Sequence, residues 1–405
     1  MKYVSTIQLT VLILVVMPLM MCGNTSDKTE DNKSVHFRVS QNETDTTQPQ
    51  LQNLIDSSYP VISRYAGYLY TKNKINARMD SIPIIRKMIS NEINAMENTE
   101  LLKLMASTAG TKSIPEETKK GLKELYKKIF QKENELSGLV HESQTLKDSL
   151  DKTEKLTADI TPATQEWLNK IHMLMNALNG PVNLVFNHIS CKIFACSPAS
   201  YEVKMHVKKS GGYDFEEYKT FLQKKANSKA LMITNAGMFK PDYQPQGLMI
   251  SEGQLVSDID TAAVTKPGNF YLYPNGIFFI DAEGRYNISE TQEYRKNNTG
   301  KNKLPQYATQ SGPMLVINNK MHNQFTKGSP NVNIRSGVGK VSDKRIIFIN
   351  SDDPVNFYDF SLIFLYYFDC NSALYLDGAI SRMYFASDKS FPDGHFGPVI
   401  SIIKK

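Results

Sequence analysis

The chain predicts an α+β protein: mostly antiparallel sheets with packed helices in a C-terminal domain, preceded by a helical, coiled-coil-like N-terminal module. Three observations carry this. Between residues 55 and 178 apolar side chains recur at three- and four-residue steps, with Lys, Glu, Gln and Ser between them, which is helical periodicity. After Pro181 the texture changes to short apolar runs punctuated by Gly, Asn and Asp, as strands and tight turns require. Two helical patterns then stand isolated among those runs. The 405 residues suffice for several cores, and 41% hydrophobic with 22% charged residues is an ordinary globular balance. A net charge of +6 is mild at this length and no Lys/Arg block stands out, which argues against nucleic acid as a partner.

The chain opens with "MKYVSTIQLTVLILVVMPLMMC", in which Lys2 precedes an apolar stretch from about Ile7 to Met21. Its length and flanks suit a signal peptide over residues 1–22 better than a membrane span. The stretch stops at Cys22, and a polar run follows. A Cys directly after the apolar region is the pattern of a bacterial lipoprotein signal, with Cys22 as the lipidated first residue and the membrane reached through that anchor. Plain secretion and an uncleaved anchor are the other readings; each places the mature protein outside the cytoplasm. Residues 23–50, rich in Asn, Thr, Ser, Gln and Asp, read as a flexible polar tether. Three further cysteines, Cys191, Cys196 and Cys370, make no disulfide framework. Cys191 and Cys196 are near enough in sequence to pair, but buried thiols are the favoured reading. No Cys or His stands nearby at zinc-ligand spacing.

Residues 51–180 form the helical module. Leu122, Leu125, Ile129, Leu136, Leu139, Leu146 and Leu150 keep a near-heptad stripe, with polar lapses at Lys132 and Ser143. "SIPEE" supplies a start, with Ser113 as cap and Pro115 in the first turn. "ADITPATQEWLNKIHMLMNAL" starts another helix, which "NGP" at 179–181 ends. The stripe either packs within the chain or serves as a spacer or self-association arm.

Residues 181–405 carry the strands: "VNLVFNHIS", "KIFACS", "YEVKMHV", "ALMITNAGMF", "QGLMISEGQLV", "NFYLYPNGIFFID", "GPMLVINNKMH", "RSGVGKVSDKRIIFINS" and "ALYLDGA". "SEGQ", "YPNG" and "VSDK" read as hairpin turns. Of the embedded helices, "DFEEYKTFLQKKANS" has an apolar face at Phe215, Tyr218, Phe221 and Leu222. The other, "NFYDFSLIFLYYFDC", has Asn356 and Asp359 at capping-box spacing and is apolar nearly all round, so it should be buried.

Small and polar residues cluster where these runs end. "TNAGMF" puts Asn235, Ala236 and Gly237 after an apolar run, a turn whose amides suit a phosphate or a sugar hydroxyl. "ATQSGPML" offers Gln310, Ser311 and Gly312, and "NIRSGVG" sets Arg335 beside Ser336, where its fork suits an anionic oxygen. "LYLDGAISRMY" ends an apolar run in Asp377-Gly378, with Ser381 and Arg382 following within a turn. Each motif alone is better served by a bend, a turn or a structural ion pair. Asp352 and Asp353 are acid/base candidates that also suit a helix entry, and His322 and His395 stand isolated. GxSxG, HExxH and a P-loop are absent, which excludes those catalytic signatures.

Taken in order, "ITNAGMF", "YATQSGPMLVINNKMHNQF", "IRSGVGKV" through "IIFINSDDPVNFYDFSLIFLYYFDC", and "NSALYLDGAISRMY" resemble the bacterial secreted branch of the phosphodiester glycosidase family over about residues 182–405. In the mammalian branch the last block is Asp followed by Gly residues and then Ser; here it reads Asp377-Gly378-Ala379-Ile380-Ser381. The resemblance implies an exported glycosidase that cleaves a sugar-1-phosphodiester to free sugar and a phosphomonoester, with no cofactor or metal. It implies Asp377 as the catalytic carboxylate and Arg335 as the phosphate partner. Asn235, Gly237, Gln310, Ser311, Gly312, Ser336, Gly378 and Ser381 then bind substrate. The competing reading is a non-catalytic surface lipoprotein that binds a glycan or a protein partner.

Overall fold

The computed structural model describes residues 44–101, 103, 116–158, 161–226, 229–262, 268–298, 304–377 and 380–405. The signal-like run with Cys22, the helix start at Ser113 and Pro115, and Gly378 lie outside the described residues. The chain divides into two compact units, residues 1–47 and 48–405, and the second builds the fold.

Among the described residues three α-helices come first: α1 (Thr44–Ala95), α2 (Glu116–Ala158) and α3 (Thr161–Ala177). Helix α1 begins inside the stretch read as tether. Two glutamines there have backbone partners: Gln48 Nε2 donates to the Asn183 carbonyl at 2.8 Å, and the Gln52 amide donates to the Val185 carbonyl and accepts from its N–H. These contacts cover the edge of strand β1 (Gly180–Phe186), where backbone groups otherwise stand unpaired. Pro49, Pro60 and Pro83 lie within α1, and each removes a backbone donor. Burial of Leu51, Ile55, Tyr59, Ile62 and Ala66, one helical face, offsets that loss.

Beyond that face α1 runs antiparallel to α2. Lys72–Glu154, Arg78–Glu142 and Glu92–Lys132 pair across them in reversed order. Ile82 and Ile89 close on Leu139, flanked by Ile85, Ile93, Leu136 and Leu146. At these positions the leucine stripe is packed within the chain. The exposed ion pairs fix register more than they stabilise.

The described residues of the remaining chain make three antiparallel sheets. The largest orders β1, β2 (Ile189–Cys196), β13 (Arg345–Ser351), β12 (Ser336–Ser342), β14 (Ser372–Tyr375), β10 (Met314–Ile317) and β11 (Lys320–Met321). The second orders β15 (Met383–Phe385), β4 (Ala230–Asn235), β16 (Val399–Lys404) and β3 (Tyr201–His206). The third orders β6 (Gln254–Ser257), β5 (Met249–Ser251), β9 (Tyr307–Ser311), β7 (Gly276–Ile280) and β8 (Tyr286–Glu290). "SEGQ" and "VSDK" are hairpin turns as expected. "YPNG" is not: a short 3₁₀ turn, Asn269–Tyr271, precedes it, and β7 pairs instead with β8 and β9.

The large sheet is covered on both faces, so its central strands are apolar on both. Ile347 and Ile349 of β13 face α1, α3 and α6 (Phe357–Leu362), while Ile346 and Phe348 face the two smaller sheets. Helix α6 is buried, as its composition requires, and Asn356 caps it by accepting from the Asp359 N–H at 2.9 Å. Helix α4 (Phe215–Ala226) packs Phe215, Tyr218 and Leu222 on the outer face of the second sheet. Tyr294 of α5 (Thr291–Asn298) packs on the third. Cys191, Cys196 and Cys370 are free, buried thiols, and burial raises all three above their ordinary titration range.

Candidate functional site

The three sheets bring strand ends to one seam. From the second sheet comes the end of β4 at Asn235; from the third, the end of β9 at Ser311. The large sheet supplies the start of β12 at Ser336 and the segment after β14, Leu376-Asp377. Register sets the last two side by side, since Gly337 pairs with Tyr375 and the Leu376 N–H donates to the Ser336 carbonyl at 3.0 Å.

Side-chain hydrogen bonds stitch the seam. Asn235 Nδ2 donates to Ser336 Oγ at 2.8 Å, and Asn235 Oδ1 accepts from the Arg382 N–H at 3.1 Å. Ser336 Oγ donates to the Asp377 carbonyl at 3.2 Å and accepts from the Asp377 N–H at 3.4 Å. Ser381 Oγ donates to the same carbonyl, and Ser311 Oγ to that of Leu376. The Gly237 N–H donates to Thr309 Oγ1 at 3.1 Å. The backbone on either side of the Asp377 side chain is thus held, and the residue is only 8% exposed. The carboxylate lies near enough to Tyr375 to contribute to raising the phenol, behind the larger effect of burial.

Two glycines are required by close approach. A Cβ at Gly237 would stand 2.2 Å from the Gln310 carbonyl oxygen, and one at Gly312 would stand 2.7 Å from Asn275 Cβ. Gln310 spends its amide on the wall. Its Oε1 accepts from the Leu248 and Asp260 N–H groups, and its Nε2 donates to the Asp260 carbonyl at 2.7 Å. The fold therefore gathers Asn235, Gly237, Ser311, Ser336, Asp377 and Ser381 at one seam, with Gln310 and Gly312 directly behind it.

Arg335 is placed differently from its expected role as a phosphate fork. It is fully buried. Nε donates to the Val355 carbonyl at 2.6 Å, Nη2 to the Asn331 carbonyl at 2.9 Å and Nη1 to Tyr375 Oη at 3.3 Å. The guanidinium lies 3.7 Å from the Phe357 ring centroid, and Phe325 and His322 continue the stack. Burial lowers the pKa of Arg335 below its ordinary value. An anion reaching this fork would have to displace partners it already has. Arg382 has a different setting: half-buried, its Nη1 donates to the Ser381 carbonyl at 2.8 Å, beside the Asp377 turn.

Sequence reasoning missed Thr309, Asn350 and Lys192, and it placed Arg382 on the Asp377 turn without a role of its own. Ser336, Asn350 and Lys192 occupy directly paired positions on β12, β13 and β2, so their side chains share the face toward the smaller sheets. Asn350 is buried with Oδ1 unpartnered. Lys192 bonds Asp388 at 2.6 Å and the Met383 carbonyl at 3.3 Å. Strand alternation continues this face to Asp352. Partial burial raises the Asp352 carboxyl pKa; Lys192 opposes that, while Asp353 and Asp388 add to it. Asp353 turns the other way and accepts the Ser190 N–H at 2.8 Å, which lowers its pKa. His322 is a buried core residue: its Nδ1 accepts from the Gln324 N–H and its Nε2 meets the Tyr273 carbonyl. His395 is exposed, its ring edge-on to Tyr243.

Beside the seam opens a cavity of about 680 Å³, with Phe239, Lys240, Gly247, Asp258, Asp260 and Tyr271 in its wall. Among the described residues no group of three or more His, Cys, Asp or Glu side chains is placed to hold a metal ion.

The uncharacterised protein YigE of Escherichia coli (strain K12) is 29% identical over 197 residues, 48% of this chain and 74% of that protein. Residues 228–400 match the phosphodiester glycosidase family model, a span from just before β4 into β16 that includes every strand end of the seam. This chain therefore carries a phosphodiester glycosidase family domain over residues 228–400.

Proposed function

We propose that the domain is a hydrolase that cleaves the glycosidic bond of a sugar-1-phosphodiester, releasing free sugar and a phosphomonoester. The observation that carries this is the buried, backbone-clamped Asp377 at the seam of three sheets, inside the family-matched span.

The chemistry asks for few groups. A phosphate monoester anion is already a good leaving group, so the demand for a strong general acid is small. What remains is to stabilise an oxocarbenium-like sugar, hold the phosphate and activate water. Asp377 supplies the fixed negative charge for the first task. Arg382, on the adjoining turn, is the guanidinium we assign to the phosphate, because Arg335 is committed to Val355, Asn331 and Tyr375. Asp352 is the base we assign to water; of the adjacent pair it is the one on the face shared with Ser336 and Asn350. As part of the same proposal the protein acts outside the cytoplasm, exported by its N-terminal apolar run with lipid attached at Cys22, and residues 181–405 act as its catalytic domain behind the helical module.

The test is product analysis on a panel of α-linked sugar-1-phosphodiesters, comparing wild type with Asp377→Asn. Asn suits the same turn, so the fold should hold. Loss of a charge-stabilising group of this kind costs about 3 to 4 kcal/mol, on the order of a hundred- to a thousandfold in kcat. Free sugar and phosphomonoester from wild type, with that fall in the variant at unchanged Tm, is the expected result. Turnover by Asp377→Asn within a fewfold of wild type would return the residue to a turn-forming role.

A further inference from the structure

We propose that the cavity behind the β4 end is a binding subsite for a neutral, hydroxyl-rich sugar ring, and that the phosphate of the substrate lies outside it. The substrate class rests on the glycosidase reading above; the assignment of the cavity rests on its own walls.

The wall is built before any ligand arrives. Gln246 Nε2 donates to Tyr271 Oη at 3.1 Å, Tyr271 Oη donates to Asp260 Oδ2 at 3.0 Å, and Asp260 Oδ1 accepts from the Ala262 N–H at 2.8 Å. Both main-chain polar groups of Asp260 are bound by the one buried amide of Gln310. That amide presses so closely on Gly247 that a Cβ there would stand 2.3 Å from Gln310 Oε1, and Gly247 has φ +93°. A polar chain fixed at both ends presents its remaining acceptors in set directions. That is the preorganisation that lowers the entropic cost of binding.

The chemistry of the wall selects the ligand. Two carboxylates, Asp258 and Asp260, face the cavity against one amine, Lys240. A dianionic phosphate would meet net repulsion there, whereas hydroxyl donors would meet charged acceptors, which form the stronger hydrogen bonds. Phe239 and Tyr271 add aromatic surface for the apolar C–H face of a ring. About 680 Å³ falls within the roughly 300–1,000 Å³ of small-molecule sites.

The cavity also adjoins the seam. Gly237 stands between Asn235 and Phe239 in the chain, and Gln310 immediately precedes Ser311, whose hydroxyl bonds the carbonyl next to Asp377. A sugar held here leaves its phosphate at the Asp377–Arg382 side.

The experiment titrates the full chain with neutral methyl glycosides and, separately, with inorganic phosphate, by calorimetry and ligand-observed NMR. The variants are Phe239→Ala, Asp260→Asn and Asp377→Asn. We expect a methyl glycoside to bind, its Kd to rise tenfold or more in Phe239→Ala and Asp260→Asn, and to stay within about threefold in Asp377→Asn. In turnover, Phe239→Ala should raise KM with kcat little changed. Methyl glycoside binding unaltered by both cavity substitutions, competition by phosphate for the same site, or no binding by any methyl glycoside would each overturn the assignment. Because binding is read without turnover, failure of hydrolysis across the diester panel would defeat the enzymatic reading and leave the cavity result standing by itself.

Discussion

Arg335→Lys separates the two roles that the sequence offers for this residue, a structural one and that of phosphate partner. The guanidinium donates to Val355, Asn331 and Tyr375, and its plane rests on Phe357 at 3.7 Å. An ammonium keeps the charge but loses the planar fork, and from one point it reaches one of these acceptors, two at best. At least one buried acceptor is then left without its donor, at about 1–3 kcal/mol each. Weakened stacking on Phe357 adds roughly 0.5–2 kcal/mol. Together these predict a loss of about 2–5 kcal/mol, a large fraction of the 5–15 kcal/mol typical of a folded protein. The assay is urea unfolding of the full chain beside sugar release from a sugar-1-phosphodiester. The expected result is a clearly lower midpoint, with activity per folded molecule reduced severalfold at most. A midpoint equal to wild type with a hundredfold loss of turnover would refute the structural role and make Arg335 the phosphate partner.

The remaining predictions follow from the seam and its supports. A base must be deprotonated to work, so with Asp352 as base, activity falls as pH drops through its raised pKa. That acid limb should flatten in Asp352→Asn and persist in Asp353→Asn, as pH–rate profiles would show. Asp353, with a depressed pKa, contributes stability above the ordinary carboxylate value that is lost as pH falls through its folded value. Asp353→Asn should therefore blunt acid unfolding followed by circular dichroism. Gly237→Ala puts a methyl 2.2 Å from a main-chain oxygen, so it should cost about 1–3 kcal/mol by thermal unfolding and lower turnover, because β4 must move away from β9. A chain starting at residue 180 lacks Leu51, Ile55, Ile62, Leu168 and Ile171, whose faces complete the core on α6 and the large sheet. Light scattering should show it more associated than the full chain.

How far the sequence was legible depends on the range of the interaction. "RIIFIN", apolar without alternation, already says that β13 is covered on both faces, and Asn356 with Asp359 announces the cap of α6. These are local signals. The seam is not local: Asn235 meets Ser336 across 101 residues, and Gly237 meets Thr309 across 72. No periodicity reports such pairs, so Asn235, Ser336 and Asp377 were legible only through the ordered blocks of a family, and Thr309 was not legible at all. Arg335 shows the limit from the other side. Small neighbours are compatible with an open pocket and with a packed interior alike, and the carbonyl that accepts its Nε lies at Val355, beyond a hairpin. Strand parity held one usable hint, since Asp352 follows Asn350 and Asp353 does not. The start of α1 was missed because its first contacts are amides of Gln48 and Gln52, which look like tether composition.

Ser336 shows how such a seam fixes a carboxylate. A hydroxyl has one proton and two lone pairs. At Ser336 the proton goes to the Asp377 carbonyl, and the lone pairs face three donors: Asn235 Nδ2 at 2.8 Å, Ser381 Oγ at 3.2 Å and the Asp377 N–H at 3.4 Å. With its capacity so used, the hydroxyl joins the end of β4 in one sheet to the end of β14 in another. Asn235 then reaches through Oδ1 to the Arg382 N–H, closing a circuit around the turn that carries Asp377, Ser381 and Arg382. The anion and the cation assigned to the reaction are thus placed by the same few hydrogen bonds. A change that separates the sheets moves both at once, and positioning errors of even an ångström are costly to catalysis. The core between the sheets is close-packed, with Met232, Phe278, Phe348 and Leu376 in one cluster, so it resists that separation. The distance from Asp377 to Arg382 is accordingly set by the packing of three sheets.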